Sequence, residues 1–298
     1  MRKRGNFKFL EKFSWYVPGV GGMFGLLAWL LVGALLGSLA TIVLQFAGGE
    51  EAVKEYGNLL SYPIMFIPPM LYASVKSSRL SMDNDGFKLD NNHFAPLGAV
   101  LCVLLAMAGT LALGFWADCI SALLPDMPKV LEEAFKNLTG GNFLINFITV
   151  SIFAPLCEEW LCRGMVLRGL LLKARVKPFW AILISALFFA LIHFNPWQAI
   201  PAFLMGCLFG YVYYRTGSLK LTMLMHFTNN TFALIIGHID SLSEMNSWTE
   251  VIAEPLYGIL VASTVLFTAL VFLAFRKVAL QRPEGNMDAV PSIFNSAE

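Results

Sequence analysis

The residues best suited to chemistry in this chain are ionisable side chains set within apolar sequence. Glu158, Glu159 and Arg163 interrupt a stretch that otherwise resembles a membrane span, and His193 and His226 lie in two later apolar segments. Ionised groups are costly inside a bilayer, so residues of this kind mark functional sites whose members lie near one another. A carboxylate close to imidazoles is typical of a site that activates water. We therefore predict a hydrolytic site buried in the membrane.

The two glutamates differ in their expected partners. Glu159 and Arg163 form an i,i+4 pair on a helix in the favourable order, and such a pair lowers the cost of holding a carboxylate in the membrane. Glu158 lies about 100° further around the helix and is left for another partner. The alternative is that both glutamates only form ion pairs with Arg163 or Arg168 at a helix end.

The histidines also allow two interpretations. His226 and Asn230 are four residues apart, so a helix presents both on one face, and this spacing favours Asn230 over its neighbour Asn229. His193 precedes Asn195-Pro196 and could instead cap its helix, while His226 could be a hydrogen-bonded core histidine. Phe189, one turn before His193, is expected to pack beside the site.

The depths of these groups test whether they can meet. Glu158 and His193 lie on either side of a predicted hairpin near residues 174–177, each about 22–24 Å from its turn. His226 and Asn230 lie only about 12–18 Å from the start of their own span. The estimates differ by up to about 10 Å, which makes convergence plausible without requiring it.

The composition indicates a polytopic membrane protein. Of the 298 residues, 57% are hydrophobic and 14% are charged, against about a quarter charged in soluble domains. The net charge of +1 gives no reason to expect nucleic acid as a partner. The five cysteines are scattered, and Cys157 and Cys162, which flank the glutamates, are interpreted as packing residues rather than as thiolates or metal ligands.

The predicted fold class is all-α, with about eight transmembrane helices around a buried polar site. The candidate spans are 20–47, 58–75, 95–117, 142–173, 178–196, 197–215, 218–238 and 255–275. The second is the weakest, because Pro63, Pro68 and Pro69 interrupt it and predict a kinked or partly inserted helix. Residues 118–141 are expected to form an amphipathic helix at the interface.

The positive charges predict the orientation. With both termini in the cytoplasm, 18 of the 21 Lys and Arg residues fall on the cytoplasmic half. The compact chain, with short loops, favours a bacterial inner membrane over the endoplasmic reticulum. We expect three regions: N-terminal helices with the interfacial helix (1–141), core helices that carry the site (142–238), and a last helix with a cytoplasmic tail (239–298).

Three motifs together resemble one family. Glu-Glu-x-x-x-Arg at 158–163, Phe-x-x-x-His at 189–193 and His-x-x-x-Asn at 226–230 are similar to the motifs of the CAAX-processing and bacteriocin-immunity intramembrane proteases, the CPBP or Abi family, which includes the CaaX prenyl endopeptidases. Each motif is weak alone, whereas all three in order form a specific signal over about 142–238. The helices before them match only in being hydrophobic.

The resemblance implies a glutamate-type endopeptidase that cleaves a membrane-associated, lipidated or hydrophobic peptide. Glu158, helped by His193, would be the general base that activates water. His226 and Asn230 would form the oxyanion hole. The supporting residues would be Glu159, Arg163 and Phe189.

Other functions remain open at this stage. Glu158, His193 and His226 could instead bind zinc, although no cofactor is expected. The buried acids could relay ions in a carrier, or the chain could be a non-catalytic immunity or scaffold protein that keeps the fold. The partners expected are a peptide or protein substrate and the lipid bilayer. The sequence identifies neither the substrate nor the oligomeric state.

Overall fold

The computed structural model describes residues 9–280 except 82–86, 122, 126, 130, 132–140, 175, 240 and 243–246. Regular secondary structure in this part of the chain is helical, without strands. The main helices are α1 (Val20–Leu80), α2 (Ala99–Ser121), α3 (Phe143–Leu172), α4 (Pro178–Leu191), α5 (Pro196–Thr216), α6 (Leu219–Gly237) and α7 (Glu254–Arg276). Two short 3-10 helices, Phe9–Phe13 and Trp248–Glu250, precede α1 and α7.

Helix α1 folds back on itself at Gly49, whose φ of 75° and ψ of −172° are non-helical. This backbone conformation is one that glycine adopts without steric penalty. A Cβ on Gly33 would lie 2.0 Å from the carbonyl oxygen of Met65, and one on Gly37 would lie 2.8 Å from that of Ser61. The two halves of α1 therefore form an antiparallel hairpin with touching backbones, as small residues allow between membrane helices.

The second predicted span, which three prolines interrupt, is helical throughout. Pro63, Pro68 and Pro69 all lie inside α1, and the helix continues past them to Leu80. The two predicted spans 20–47 and 58–75 are thus the two arms of the hairpin.

Four helices of the described chain are long and apolar enough to cross a membrane by length and composition: α1, α2, α3 and α7. Helix α4 is apolar but has only 14 residues. The all-α, membrane-embedded fold class is confirmed. A helix lies at each of the eight predicted positions, but the count of eight spans is not confirmed.

The predicted interfacial helix at 118–141 needs a correction at its start. Residues 118–121 continue α2, which ends at Ser121 rather than at 117. Apolar residues continue up to Trp116 and Ala117, and the helix extends one further turn. Most of the remaining segment lies outside the described residues.

Local sequence signals set several of the helix ends. The side chains of Asn142, Asn195 and Ser218 accept hydrogen bonds from backbone N–H groups in the first turns of α3, α5 and α6. Such N-caps satisfy donors that the helix itself leaves free. Gly217, with a φ of 63°, ends α5 in the left-handed conformation typical of glycine at this position. These signals fix where each helix enters the core.

Helix α3 is the centre of the molecule. All residues from Cys157 to Leu172 are buried, a pattern expected of a helix surrounded by other helices. Two stretches, Phe147–Phe153 and Trp160–Leu167, have π-helical hydrogen bonding and lie on either side of the paired glutamates. Such π segments are rare and frequently occur at functional sites.

Candidate active site

Glu158 lies at the point where α1, α3, α4 and α6 meet. Its Oε2 atom is 3.9 Å from Nε2 of His193 and 4.0 Å from Nε2 of His226. No group of the described chain makes a hydrogen bond to Oε2. The residue is 8% exposed, whereas the His193 side chain is 22% exposed. One carboxylate oxygen therefore faces two imidazole nitrogens in a mostly buried site that is most accessible beside His193.

The second glutamate belongs to a fully buried ion pair. Oε1 of Glu159 accepts a hydrogen bond from Nη1 of Arg163 at 2.9 Å and lies 3.1 Å from Nδ1 of His226. Both side chains of the Glu159–Arg163 pair are 0% exposed. This geometry confirms the predicted i,i+4 pair and adds His226 as its third member. The alternative pairing with Arg168 is not formed, because that guanidinium donates to the carbonyls of Gly164 and Ser14.

Arg163 is held by groups other than carboxylates as well. Its Nη2 donates to the carbonyl oxygen of Gly206 at 3.1 Å. Its guanidinium carbon lies 4.5 Å from the ring centre of Phe189 and 5.4 Å from that of Phe209. Aromatic faces attract a desolvated cation, so these contacts lower the cost of burying the charge.

Phe189 contacts both histidines, in agreement with its predicted position. Its ring makes edge contacts with the rings of His193 and His226, at centroid distances of 5.0 and 5.4 Å. Its carbonyl oxygen lies 2.7 Å from Nδ1 of His193. A carbonyl only accepts hydrogen bonds, so Nδ1 carries the hydrogen and Nε2 presents its lone pair to Glu158 when the ring is neutral.

Asn230 lies one turn beyond His226 and is oriented by two contacts. Its Nδ2 donates to the carbonyl oxygen of Val150 at 2.8 Å, and its Oδ1 accepts from Nδ2 of Asn229 at 3.1 Å. Val150 belongs to the first π-helical stretch of α3. One of the two amide hydrogens of Asn230 is therefore donated to the carbonyl of Val150 in α3, and the other makes no hydrogen bond within the described residues.

Glu158 and His226 come together in the structure, although the depths estimated from the sequence differ. The turn between α5 and α6 is covered by the segment 87–98, whose Asn91 and His93 donate backbone hydrogen bonds to the carbonyls of Gly217 and Thr216 at 2.9 and 2.8 Å. The contact of His226 with Glu158, at 4.0 Å between Nε2 and Oε2, shows that the two helices converge despite the different depths estimated from the sequence.

One contact of the site was not predicted. The hydroxyl of Tyr62, on the second arm of α1, donates a hydrogen bond to Oε1 of Glu158. The prolines near Tyr62 predicted helix breaking, and tyrosine is common in membrane helices. Its position next to Pro63 inside an apolar arm was the only available signal, and it did not indicate the partner.

The described residues contain no group of three or more His, Cys, Asp or Glu side chains arranged to hold a metal ion. Cys157 and Cys162 are buried free thiols. The cluster around Glu158 offers a carboxylate, two imidazoles and a phenol, and the amide of Asn230 lies one helical turn beyond His226. These groups can accept a proton, donate one and hydrogen-bond a developing oxyanion.

Comparison with known proteins points to the same segment. Residues 140–232 match the family model described as type II CAAX prenyl endopeptidase Rce1-like. An uncharacterized protein of Mycoplasma capricolum subsp. capricolum is 24% identical over 235 residues, which cover 75% of this chain and 68% of that protein. No solved structure matches the chain.

The family match covers Glu158, His193, His226 and Asn230, while Tyr62 lies outside it. This match confirms the resemblance indicated by the three motifs. Residues 140–232 of this chain are therefore similar to the Rce1-like type II CAAX prenyl endopeptidases.

Proposed function

We propose that this protein is an intramembrane endopeptidase that hydrolyses a membrane-associated, lipidated or hydrophobic peptide without a metal ion. The observation that carries the proposal is the approach of His193 and His226 to one oxygen of Glu158, at 3.9 and 4.0 Å. The Rce1-like family of residues 140–232 supports protease chemistry at this place.

Glu158 and His193 are suited to activate water together. The carboxylate oxygen Oε2 and the imidazole nitrogen Nε2 are both hydrogen-bond acceptors, because Nδ1 of His193 already donates to Phe189. A water molecule held between them would donate one hydrogen to each, which directs its lone pair at the substrate. General-base assistance of this kind contributes about 100- to 10,000-fold to a reaction rate.

His226 and Asn230 are suited to stabilise the oxyanion. Because an ionised Glu159 only accepts hydrogen bonds, the hydrogen between the two side chains belongs to Nδ1 of His226. Nε2 of His226 can then donate only when the ring carries both hydrogens and is cationic. The Glu159 carboxylate stabilises such a cation. With Arg163 also cationic, the two positive charges balance the two negative charges of Glu158 and Glu159.

The hydrolysis proceeds in two steps, attack of water and collapse of the tetrahedral intermediate. The water oxygen forms a bond to the scissile carbonyl carbon while one water proton passes to the Glu158–His193 pair. The tetrahedral intermediate then collapses, the C–N bond breaks, and that proton is delivered to the leaving amine. The second water proton leaves the new carboxyl group for the new amine, so the products are a carboxylate and an ammonium group, and no cofactor is consumed.

The direct experiment measures cleavage of a prenylated peptide, the substrate class that the similarity to CAAX prenyl endopeptidases suggests. Purified protein in liposomes is incubated with a quenched fluorescent peptide that ends in an S-farnesylated Cys followed by three residues, and with the same peptide lacking the lipid. We expect cleavage by the wild type and a loss of about 100- to 10,000-fold in Glu158→Gln.

Several results would oppose this proposal. Undiminished cleavage by Glu158→Gln would remove Glu158 as the base. A cellular phenotype rescued equally by wild type and Glu158→Gln would favour a non-catalytic scaffold or immunity role. Preference between the two peptides reports whether the lipid is part of the substrate.

Metal dependence separates this proposal from its zinc alternative. Dialysis against a strong chelator, followed by assay in chelator-treated buffer, is expected to change the cleavage rate less than about twofold. Loss of activity on chelation and recovery on adding zinc would instead support Glu158, His193 and His226 as ligands with water in the fourth position.

We also propose that both termini face the cytoplasm of a bacterial cell whose inner membrane holds the protein. The excess of Lys and Arg on one predicted side and the relative from Mycoplasma capricolum support this orientation and location. Reporter fusions at each terminus test it: a cytoplasmic fluorescent reporter should be active at both ends, and an exported phosphatase at neither.

A further inference from the structure

The hydroxyl of Tyr62 occupies the carboxylate oxygen of Glu158 that does not face the histidines. We propose that Tyr62 is a positioning residue for this carboxylate, supplied by the N-terminal hairpin from outside the segment that matches the protease family. The inference rests on the proposed function and extends it to a residue that none of the three motifs contains.

The geometry divides the two oxygens of Glu158 between two tasks. Oε1 accepts the phenolic hydrogen of Tyr62, while Oε2 lies 3.9 and 4.0 Å from Nε2 of His193 and of His226. A half-turn of the carboxylate would exchange two equivalent oxygens and restore the same contacts, whereas any partial rotation would weaken the bond to Tyr62 and turn the second oxygen away from the imidazoles. The phenol thus keeps Oε2 directed at the imidazoles and stabilises the ionised form, which accepts hydrogen bonds more strongly.

The backbone packing of the hairpin holds Tyr62 in place. The carbonyls of Ser61 and Met65, on either side of Tyr62 in the sequence, lie against Gly37 and Gly33 of the first arm. The Tyr62 ring also packs on Phe66 at a centroid distance of 5.5 Å. The phenol is therefore presented to Glu158 by a backbone contact that larger side chains would not permit.

The test replaces only the hydroxyl. Tyr62→Phe keeps the ring and its packing, and the matched control is Tyr211→Phe, which removes a hydroxyl bonded to the carbonyl of Phe272 on the other side of the core. A hydrogen bond to a charged group is worth enough to lower kcat by about 10- to 100-fold in Tyr62→Phe. We expect KM for the farnesylated reporter to stay within about twofold, and Tyr211→Phe to retain the wild-type kcat.

A second readout does not depend on cleavage. The infrared carboxylate band of Glu158 is identified by subtracting the spectrum of Glu158→Gln, and its frequency is compared in wild type and Tyr62→Phe. Loss of the phenolic hydrogen bond should shift this band, whereas Tyr211→Phe should leave it in place.

The two readouts separate the possible failures. An unmoved band, or an unchanged kcat in Tyr62→Phe, would overturn the positioning role and leave Tyr62 as a packing residue. A shifted band in a protein that cleaves neither peptide would uphold the bond to Glu158 and overturn the proposed protease function instead. A reduced kcat with a shifted band supports both.

Discussion

The N-terminal hairpin and the central helix α3 use the same local pattern in opposite environments. Both carry a glutamate followed four residues later by a cation: Glu50 with Lys54 in α1, and Glu159 with Arg163 in α3. The first pair has side chains 74% and 68% exposed, and the second has both at 0%. In the hairpin the pair lies near the turn at Gly49, whereas in α3 it lies at the centre of the protein.

This difference shows what the spacing alone does not determine. An exposed pair of this kind stabilises a helix by only a few tenths of a kcal/mol. The buried pair needs further partners, which Gly206, two aromatic rings and His226 supply. Chemistry is therefore expected where the pair is buried and extended by an imidazole, and not wherever the pattern occurs.

The two regions also differ in how they pack. The arms of the hairpin meet through glycines whose backbone contacts leave no room for a side chain, while every residue of α3 from Cys157 to Leu172 is buried. The regions are nevertheless coupled, because Tyr62 crosses from the hairpin to Glu158. We expect substitutions around α3 to change activity, and substitutions of the hairpin glycines to change stability.

The largest expected difference concerns the two ion pairs. Arg163→Met leaves the Glu159 carboxylate buried without its cation, a change that costs about 3–5 kcal/mol of unfolding free energy. Lys54→Met removes an exposed partner and should change it by less than about 0.5 kcal/mol. Reversible denaturant unfolding in mixed micelles measures both. Equal effects of the two substitutions would remove the distinction between the pairs.

The next effect should appear in activity and not in stability. Asn230→Ala removes a candidate oxyanion donor, and loss of one such donor lowers kcat by about 100- to 1,000-fold. Asn229→Ala removes only the group that donates to Asn230, and a loss below about 10-fold is expected. Turnover of the farnesylated reporter distinguishes them. Comparable rates for the two variants would place the oxyanion donor elsewhere.

The smallest of the three effects belongs to the hairpin. A Cβ on Gly33 would lie 2.0 Å from a backbone oxygen of Met65, so Gly33→Ala must move the two arms apart, at a cost of about 1–3 kcal/mol. Gly21→Ala is the control, because nothing lies within 4 Å of its Cβ and alanine is the better helix former. Thermal midpoints in detergent should fall for the first variant and not for the second.

Much of this architecture was accessible from the sequence. Apolar runs located helices at all eight predicted positions, since burial in lipid demands such runs. Ionisable residues within those runs led to Glu158, His193 and His226, because charge in a membrane is too costly to be placed without partners. The structure brings these three together, while their catalytic roles remain proposals.

Other features could not be read from local spacing. The segment 87–98 covers the turn before α6 through hydrogen bonds to Gly217 and Thr216, which are distant from it in sequence. Tyr62 reaches Glu158 across 96 positions of the chain, and no periodicity of α1 indicates that partner. The first π-helical stretch of α3 receives a hydrogen bond from Asn230 at the carbonyl of Val150, a contact between helices that local spacing does not indicate. Each of these features is set by packing between segments.

The central claim is that Glu158 activates water to attack a peptide bond, and isotope transfer tests it most directly. The farnesylated reporter is incubated under single-turnover conditions in H₂¹⁸O with wild type and with Glu158→Gln, and the products are weighed by mass spectrometry. We expect one ¹⁸O in the new carboxylate for the wild type and at least about 100-fold slower product formation for the variant. Absence of cleavage by the wild type, or equal labelled product from Glu158→Gln, would contradict the account.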